Sequence, residues 1–163
     1  DRGAPRPQRP LRDPQRDDWL DYLAADSVET IRPGQTLRVG PIALTAHHTG
    51  GHTPGGTTWS WRSCEGSRCA EVVYADSQTP ISSDGFYFTR DSLYRTGVQD
   101  FERGFATLER LTCDVLVTPH PSASQLFERH AAGTLVDAGA CKRYAATARR
   151  RLEERIAKEK GGE

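Results

Sequence analysis

The sequence predicts a mixed α/β domain, built in layers with helices covering a sheet. Three observations carry this. Short runs rich in β-branched and aromatic residues come first, followed by a helical stretch, one short apolar run and a second helical stretch, an order that suits helix-on-sheet layers. The length of 163 residues suits one domain. Once its 15 glycines are added to the 36% hydrophobic fraction, the composition is that of an ordinary globular chain.

Residues 1–14 (DRGAPRPQRPLRDP) hold four prolines and many charges with little to bury, and are expected to form an irregular Pro/Arg-rich lead-in to a domain spanning 15–163. Asp17 to Ala25 is expected to form a short helix with Trp19, Leu20 and Leu23 on one side. Strands are expected at Val28–Ile31, Leu37–Val39 and Ile42–His47, with a turn at Pro33-Gly34. Thr57–Arg62 and Ala70–Tyr74 flank a cysteine-bracketed tip and read as an antiparallel pair. A long loop runs from Ser77 to about Thr96. Val98, Phe101, Phe105, Leu108 and Leu111 keep helical spacing, so 97–111 is an amphipathic helix with one apolar stripe. Asp114–Thr118 (DVLVT) reads as a buried strand, and Tyr144, Ala148, Leu152 and Ile156 mark a surface helix over 140–158.

Charge and composition exclude some functions. Lys+Arg and Asp+Glu both number 22, so the chain lacks the basic footprint of a nucleic-acid binder. The arginine cluster Arg149-Arg150-Arg151 is offset by Glu153 and Glu154, as on a solvated surface. No apolar run approaches the 18 or so residues that would cross a membrane. The N-terminus has no apolar leader, and methionine is absent throughout, so a processed chain or a fragment is expected.

The four cysteines, Cys64, Cys69, Cys113 and Cys141, allow three disulfide pairings. Their spacing does not suit a structural zinc knot. Cys64 and Cys69 bracket Glu65-Gly66-Ser67-Arg68, a hairpin-tip composition, which would leave Cys113 for Cys141. Two disulfides would imply an oxidising compartment, whereas four buried thiols would suit a reducing one. The arithmetic alone leaves both open.

Two histidines stand just beyond expected strands in loops stiffened by proline. His52 lies in HHTGGHTPGGTTW (47–59), where Gly50, Gly51, Gly55 and Gly56 let the backbone approach a bound group, and His120 lies in Pro119-His120-Pro121. A neutral imidazole is a common zinc ligand. Together, TGGHTPGGTTW (49–59), YADS (74–77) and VTPHPS (117–122), in this order, resemble the metallo-β-lactamase superfamily over about residues 28–158. The closest likeness is to the third subclass of the zinc β-lactamases. The resemblance implies the C-terminal half of the αββα sandwich, with a mixed, mostly antiparallel sheet and helices on one face. It implies His52 as a ligand of a first zinc and His120 as a ligand of a second. Ser77, the mark of that subclass, and Thr79 would hold a substrate carboxylate, directly or through water. The Cys113–Cys141 pairing matches a disulfide typical of the subclass, and a small loop like Cys64–Cys69 occurs in some members. Asp76 is read as structural, accepting backbone N–H bonds at a strand end, in preference to a metal ligand; His47 and His48 carry no implied role, and His130 is read as a surface residue in a loop.

The superfamily's other ligands come from an H-x-H-x-D-H motif that this sequence does not contain; its five histidines are 47, 48, 52, 120 and 130. Each zinc would then keep one ligand here, where a catalytic zinc needs about three. The implied activity of the complete enzyme is hydrolysis of a β-lactam amide by metal-bound hydroxide in a periplasmic or secreted setting, with the missing N-terminal half as partner and no activity from this chain alone. Two other readings stand beside it. One is a thioesterase or lactonase of the same superfamily, which usually carries aspartate where Ser77 stands. The other is a non-catalytic binding or scaffold protein, supported only by the absent motif.

Overall fold

The computed structural model describes residues 27–161. The expected lead-in over 1–14 and the helix at Asp17–Ala25 lie outside the described residues. Five strands form one sheet in sequence order: β1 (Thr36–Val39), β2 (Ile42–His48), β3 (Thr57–Glu65), β4 (Arg68–Tyr74) and β5 (Val115–Val117). The first four pair as an antiparallel meander and β5 joins β4 in parallel. A parallel neighbour needs a crossover, and helix α1 (Gly97–Arg110) lies in the connection from β4 to β5. A 3₁₀ turn (Pro121–Ala123), a short helix α2 (Leu126–Ala131) and the long helix α3 (Ala140–Gly161) follow.

Strand alternation puts successive side chains on opposite faces, and the two faces differ here. Val73 and Leu116 point to one side, where they join Phe88, Phe101, Phe105, Leu108, Tyr144 and Leu152 in the core formed with α1 and α3. The other side carries the paired row Ala46, Trp59, Tyr74 and Val117, and next to it Trp61, Val72 and Val115. Towards β1 the pairs Leu37 with Leu44 and Val39 with Ile42 continue the same apolar face. Leu37, Val39 and Ile42 remain 46%, 55% and 42% exposed. On this face Ala46 and Val72 are buried, at 2% and 9% exposure, while the core formed with α1 and α3 lies on the other.

Both disulfides form, Cys64 with Cys69 and Cys113 with Cys141, with Cα separations of 4.0 and 6.2 Å. The first is closer than the usual range of about 4.4–6.8 Å, because its cysteines are cross-strand partners at the tip of the β3–β4 hairpin. The second ties the residues before β5 to the first turn of α3.

Two local expectations are corrected. Val28–Ile31 is not a strand: it has no ladder partner among the described residues, and Val28 is 82% exposed. Apolar, β-branched composition without a partner edge does not make a strand. His130, expected in a loop, is an exposed residue of α2.

Candidate functional site

The strand registers bring three connections to one end of the sheet. Tyr74, at the end of β4, pairs with Val117, at the end of β5, and with Trp59, near the start of β3. The segment leaving β4 (Ser77, Thr79), the segment leaving β5 (His120) and the loop entering β3 (His52) therefore emerge together. Loops at the carboxyl ends of parallel strands are a common position for binding sites.

The His52 loop is closed at its base. Thr49 N–H donates to the Gly56 carbonyl at 2.9 Å, and the buried Thr49 and Thr58 hydroxyls meet at 2.8 Å. Gly51 has φ +140° and lies flat on Phe101 of α1; a Cβ there would come within 2.4 Å of the ring's Cδ1. The loop is thus seated on α1, and the Tyr94 hydroxyl donates to the Thr53 carbonyl at 3.3 Å from the other side. Burial pushes the Tyr94 phenol well up, with the nearby Asp100 carboxylate adding to the effect, so it stays a donor.

His52 is half-buried, and its Nδ1 lies 3.0 Å from the Thr79 carbonyl. A carbonyl oxygen only accepts, so Nδ1 carries the proton and, in the neutral ring, the lone pair belongs to Nε2. Two of the four expected site residues are therefore joined directly. The Ser77 hydroxyl oxygen accepts the Thr79 N–H at 3.4 Å, which adds a third. His120 leaves β5 at the same end, with its carbonyl accepting from Thr118 Oγ1 at 2.8 Å and from Ala123 N–H at 2.9 Å. Its side chain is exposed.

The remaining candidates have local roles. Asp76 N–H donates to Thr58 Oγ1 at 3.3 Å, and the carboxylate lies against Gly56; the expected backbone N–H bonds to that carboxylate are not among those of the described residues. His47 pairs with Ser60 Oγ at 2.8 Å, and burial lowers its pKa. His48 donates to the Pro54 carbonyl at 3.0 Å.

Sequence reasoning missed Gln78 and Tyr144. Gln78 Nε2 donates to the Thr49 carbonyl at 2.9 Å, and its backbone N–H donates to the Tyr144 hydroxyl at 3.1 Å. Gln78 sits in a polar loop and Tyr144 in a core stripe, so no local pattern connects them.

Among the described residues, no group of three or more His, Cys, Asp and Glu side chains is arranged to hold a metal ion. The donors present do not by themselves fit a zinc site.

No family model matches the chain. Solved structures do. Rm3 metallo-β-lactamase is 44% identical, with TM-score 0.84 over 91% of this chain and 57% of that one. MEM-A1, a subclass B3 metallo-β-lactamase isolated from a soil metagenome library, is 31% identical, with TM-score 0.87 over 95% and 61%. The metallo-β-lactamase MIM-1 from Novosphingobium pentaromativorans is 38% identical, with TM-score 0.72 over 81% and 48%. The chain spans about half the length of these structures, from 48% to 61%, and aligns with their C-terminal part.

Proposed function

Because the chain belongs to the metallo-β-lactamase superfamily, with subclass B3 enzymes among its structural neighbours, we propose that it forms the C-terminal wall of a zinc-dependent hydrolase that opens β-lactam amides. The observation that carries this reading is the bond from His52 Nδ1–H to the Thr79 carbonyl. Metal-ligating histidines nearly always donate their second ring nitrogen to such an acceptor, which fixes the tautomer and aims the ligating nitrogen. The loop seated on α1 and the β4 exit are thereby built as one unit.

In this reading His52 and His120 each give one ligand to a different zinc, two zincs per complete enzyme. Zinc would supply Lewis acidity and an activated water. Ser77 and Thr79 line the same end of the sheet and bind the substrate carboxylate. The remaining donors come from an H-x-H-x-D-H segment in an N-terminal half, whose sheet covers the apolar face of this one. The two disulfides suit a periplasmic or secreted enzyme.

The test is complementation. The chain is mixed with a polypeptide carrying the H-x-H-x-D-H half, zinc is added, and hydrolysis of a chromogenic cephalosporin is followed. Turnover is expected only from the mixture, with loss on chelation or in His52→Ala. Turnover by this chain alone, or turnover indifferent to chelator, would overturn the assignment.

A further inference from the structure

Gln78 stands between Ser77 and Thr79, and its side chain is fully buried. Its Nε2 bridges the Thr49 carbonyl, at 2.9 Å, and the Ser77 carbonyl, at 3.0 Å. Its backbone N–H donates to the Tyr144 hydroxyl at 3.1 Å, and that hydroxyl donates in turn to the Asp76 carbonyl at 3.4 Å. Tyr144 lies one turn after Cys141, which the buried disulfide fastens to Cys113. One residue thus joins the base of the His52 loop, the exit of β4 and helix α3.

The choice of residue is chemically expensive. Gln78 Oε1 is buried without a hydrogen-bond partner, and it sits 2.5 Å from the position a Cβ on Gly104 would take. A hydrocarbon side chain would fill this space without leaving an acceptor orphaned, and buried acceptors are rarely left so. What glutamine adds is two aimed N–H donors, both spent on carbonyls that flank the site.

We propose that Gln78 is a positioning residue for His52, with Tyr144 as its support. By locking the Thr49 and Ser77 carbonyls together, it fixes the course of the chain from Ser77 to Thr79, so that the Thr79 carbonyl, in the Thr79–Pro80 peptide, receives the His52 Nδ1–H. The tautomer and aim of the imidazole then depend on a side chain whose own bonds go to the Thr49 and Ser77 carbonyls. This rests on the reading of His52 as a ligand, but its test does not use hydrolysis.

The experiment is nitrogen NMR of the histidine rings in the full chain at neutral pH, with His52→Asn identifying the signal. In the parent protein, His52 should appear as the Nδ1–H tautomer. Gln78→Met keeps the length and bulk of the side chain, removes both donors and removes the orphaned acceptor. It should move the His52 signal to an average of two tautomers in a protein that still melts cooperatively. Gly104→Ala pushes on Oε1 from α1 and should produce the same change without altering the loop sequence. A folded Gln78→Met or Gly104→Ala protein with an unchanged His52 signal would reduce Gln78 to packing and overturn the proposal. If Gln78→Met fails to fold, Gly104→Ala and Tyr144→Phe decide. A shifted tautomer in a protein that hydrolyses no β-lactam even when mixed with the H-x-H-x-D-H half and zinc would sink the functional reading and leave this inference standing.

Discussion

The four glycines around His52 are not equivalent, and the difference is physical. Gly51 combines φ +140° with a ring carbon 2.4 Å from the position of a Cβ, whereas Gly55 has open space around it and no positive φ. Gly51→Ala is therefore expected to destabilise the protein by about 2–4 kcal/mol, from backbone strain plus overpacking against Phe101. Gly55→Ala should stay within about 0.5 kcal/mol of the parent. Thermal denaturation of the two variants side by side checks both, and equal melting temperatures would contradict the seating of the loop on α1. The sequence made the loop legible through its glycines and its histidine. It did not show which glycine touches α1, because that contact reaches across some 50 residues to Phe101. The link from His52 to Thr79 is hidden for the same reason, since it runs to a backbone carbonyl, a group every residue has.

At the scale of elements, α3 does more than cover the sheet. Near its end, the buried Glu159 accepts the Phe88 N–H at 3.0 Å and the Thr89 N–H at 2.9 Å. Arg155 Nε donates to the same carboxylate at 2.6 Å, while its guanidinium also reaches Ser82 Oγ at 2.9 Å and the Phe86 carbonyl at 2.8 Å. The helix end therefore holds the long loop whose start carries Ser77 and Thr79. Burial alone would push the Glu159 carboxyl up, but the bonds from Arg155, Thr89 and Phe88 outweigh it and bring the pKa below its ordinary value. A depressed carboxyl stabilises the fold fully above its unfolded value of about 4.3, and this contribution disappears as pH falls through the folded value. Glu159→Gln should thus cost about 1–3 kcal/mol at pH 7, and the gap in melting temperature between parent and variant should narrow below about pH 4. A gap constant from pH 7 to 3 would show that the charge is not what matters. The two disulfides should also differ in worth. Cys113–Cys141 closes a span of 28 residues in the core, and Cys64–Cys69 a span of five at an exposed tip. Loop-closure entropy puts the first at about 3.6 kcal/mol and the second at about 2, so replacing the core pair by alanines should lower the melting temperature more, because cavities add to the loss. The elements themselves were largely readable, because α1 keeps one apolar stripe and the β3–β4 hairpin has its turn and cysteines in line. Helix α2 was not, since six residues with no buried side chain leave no periodic signature.

For the whole molecule, the decisive feature is the asymmetry of the sheet. One face is covered by α1 and α3, while the other presents Trp59, Trp61, Tyr74 and Val117 half-buried, with Leu37, Val39 and Ile42 exposed at its rim. An apolar row with an exposed rim is the kind of surface that meets a partner, and sheets meet face to face through such alternate rows about 10 Å apart. Composition alone hides the feature, since the same residues would serve equally in a closed core; strand register is what separates the two faces. If an N-terminal half covers this face, a single charge at its centre should separate folding from assembly. Trp61 sits mid-strand on β3, paired with Val72 on β4, and its side chain points away from the α1–α3 core. Trp61→Lys should leave the melting temperature of the isolated chain nearly unchanged, reduce its binding of a hydrophobic dye and lower its self-association in sedimentation. The same variant should fail to bind the H-x-H-x-D-H half and give no cephalosporin hydrolysis in the mixture, although His52, Ser77, Thr79 and His120 are untouched. Normal assembly and turnover by Trp61→Lys would mean that the apolar face is not where the two halves meet.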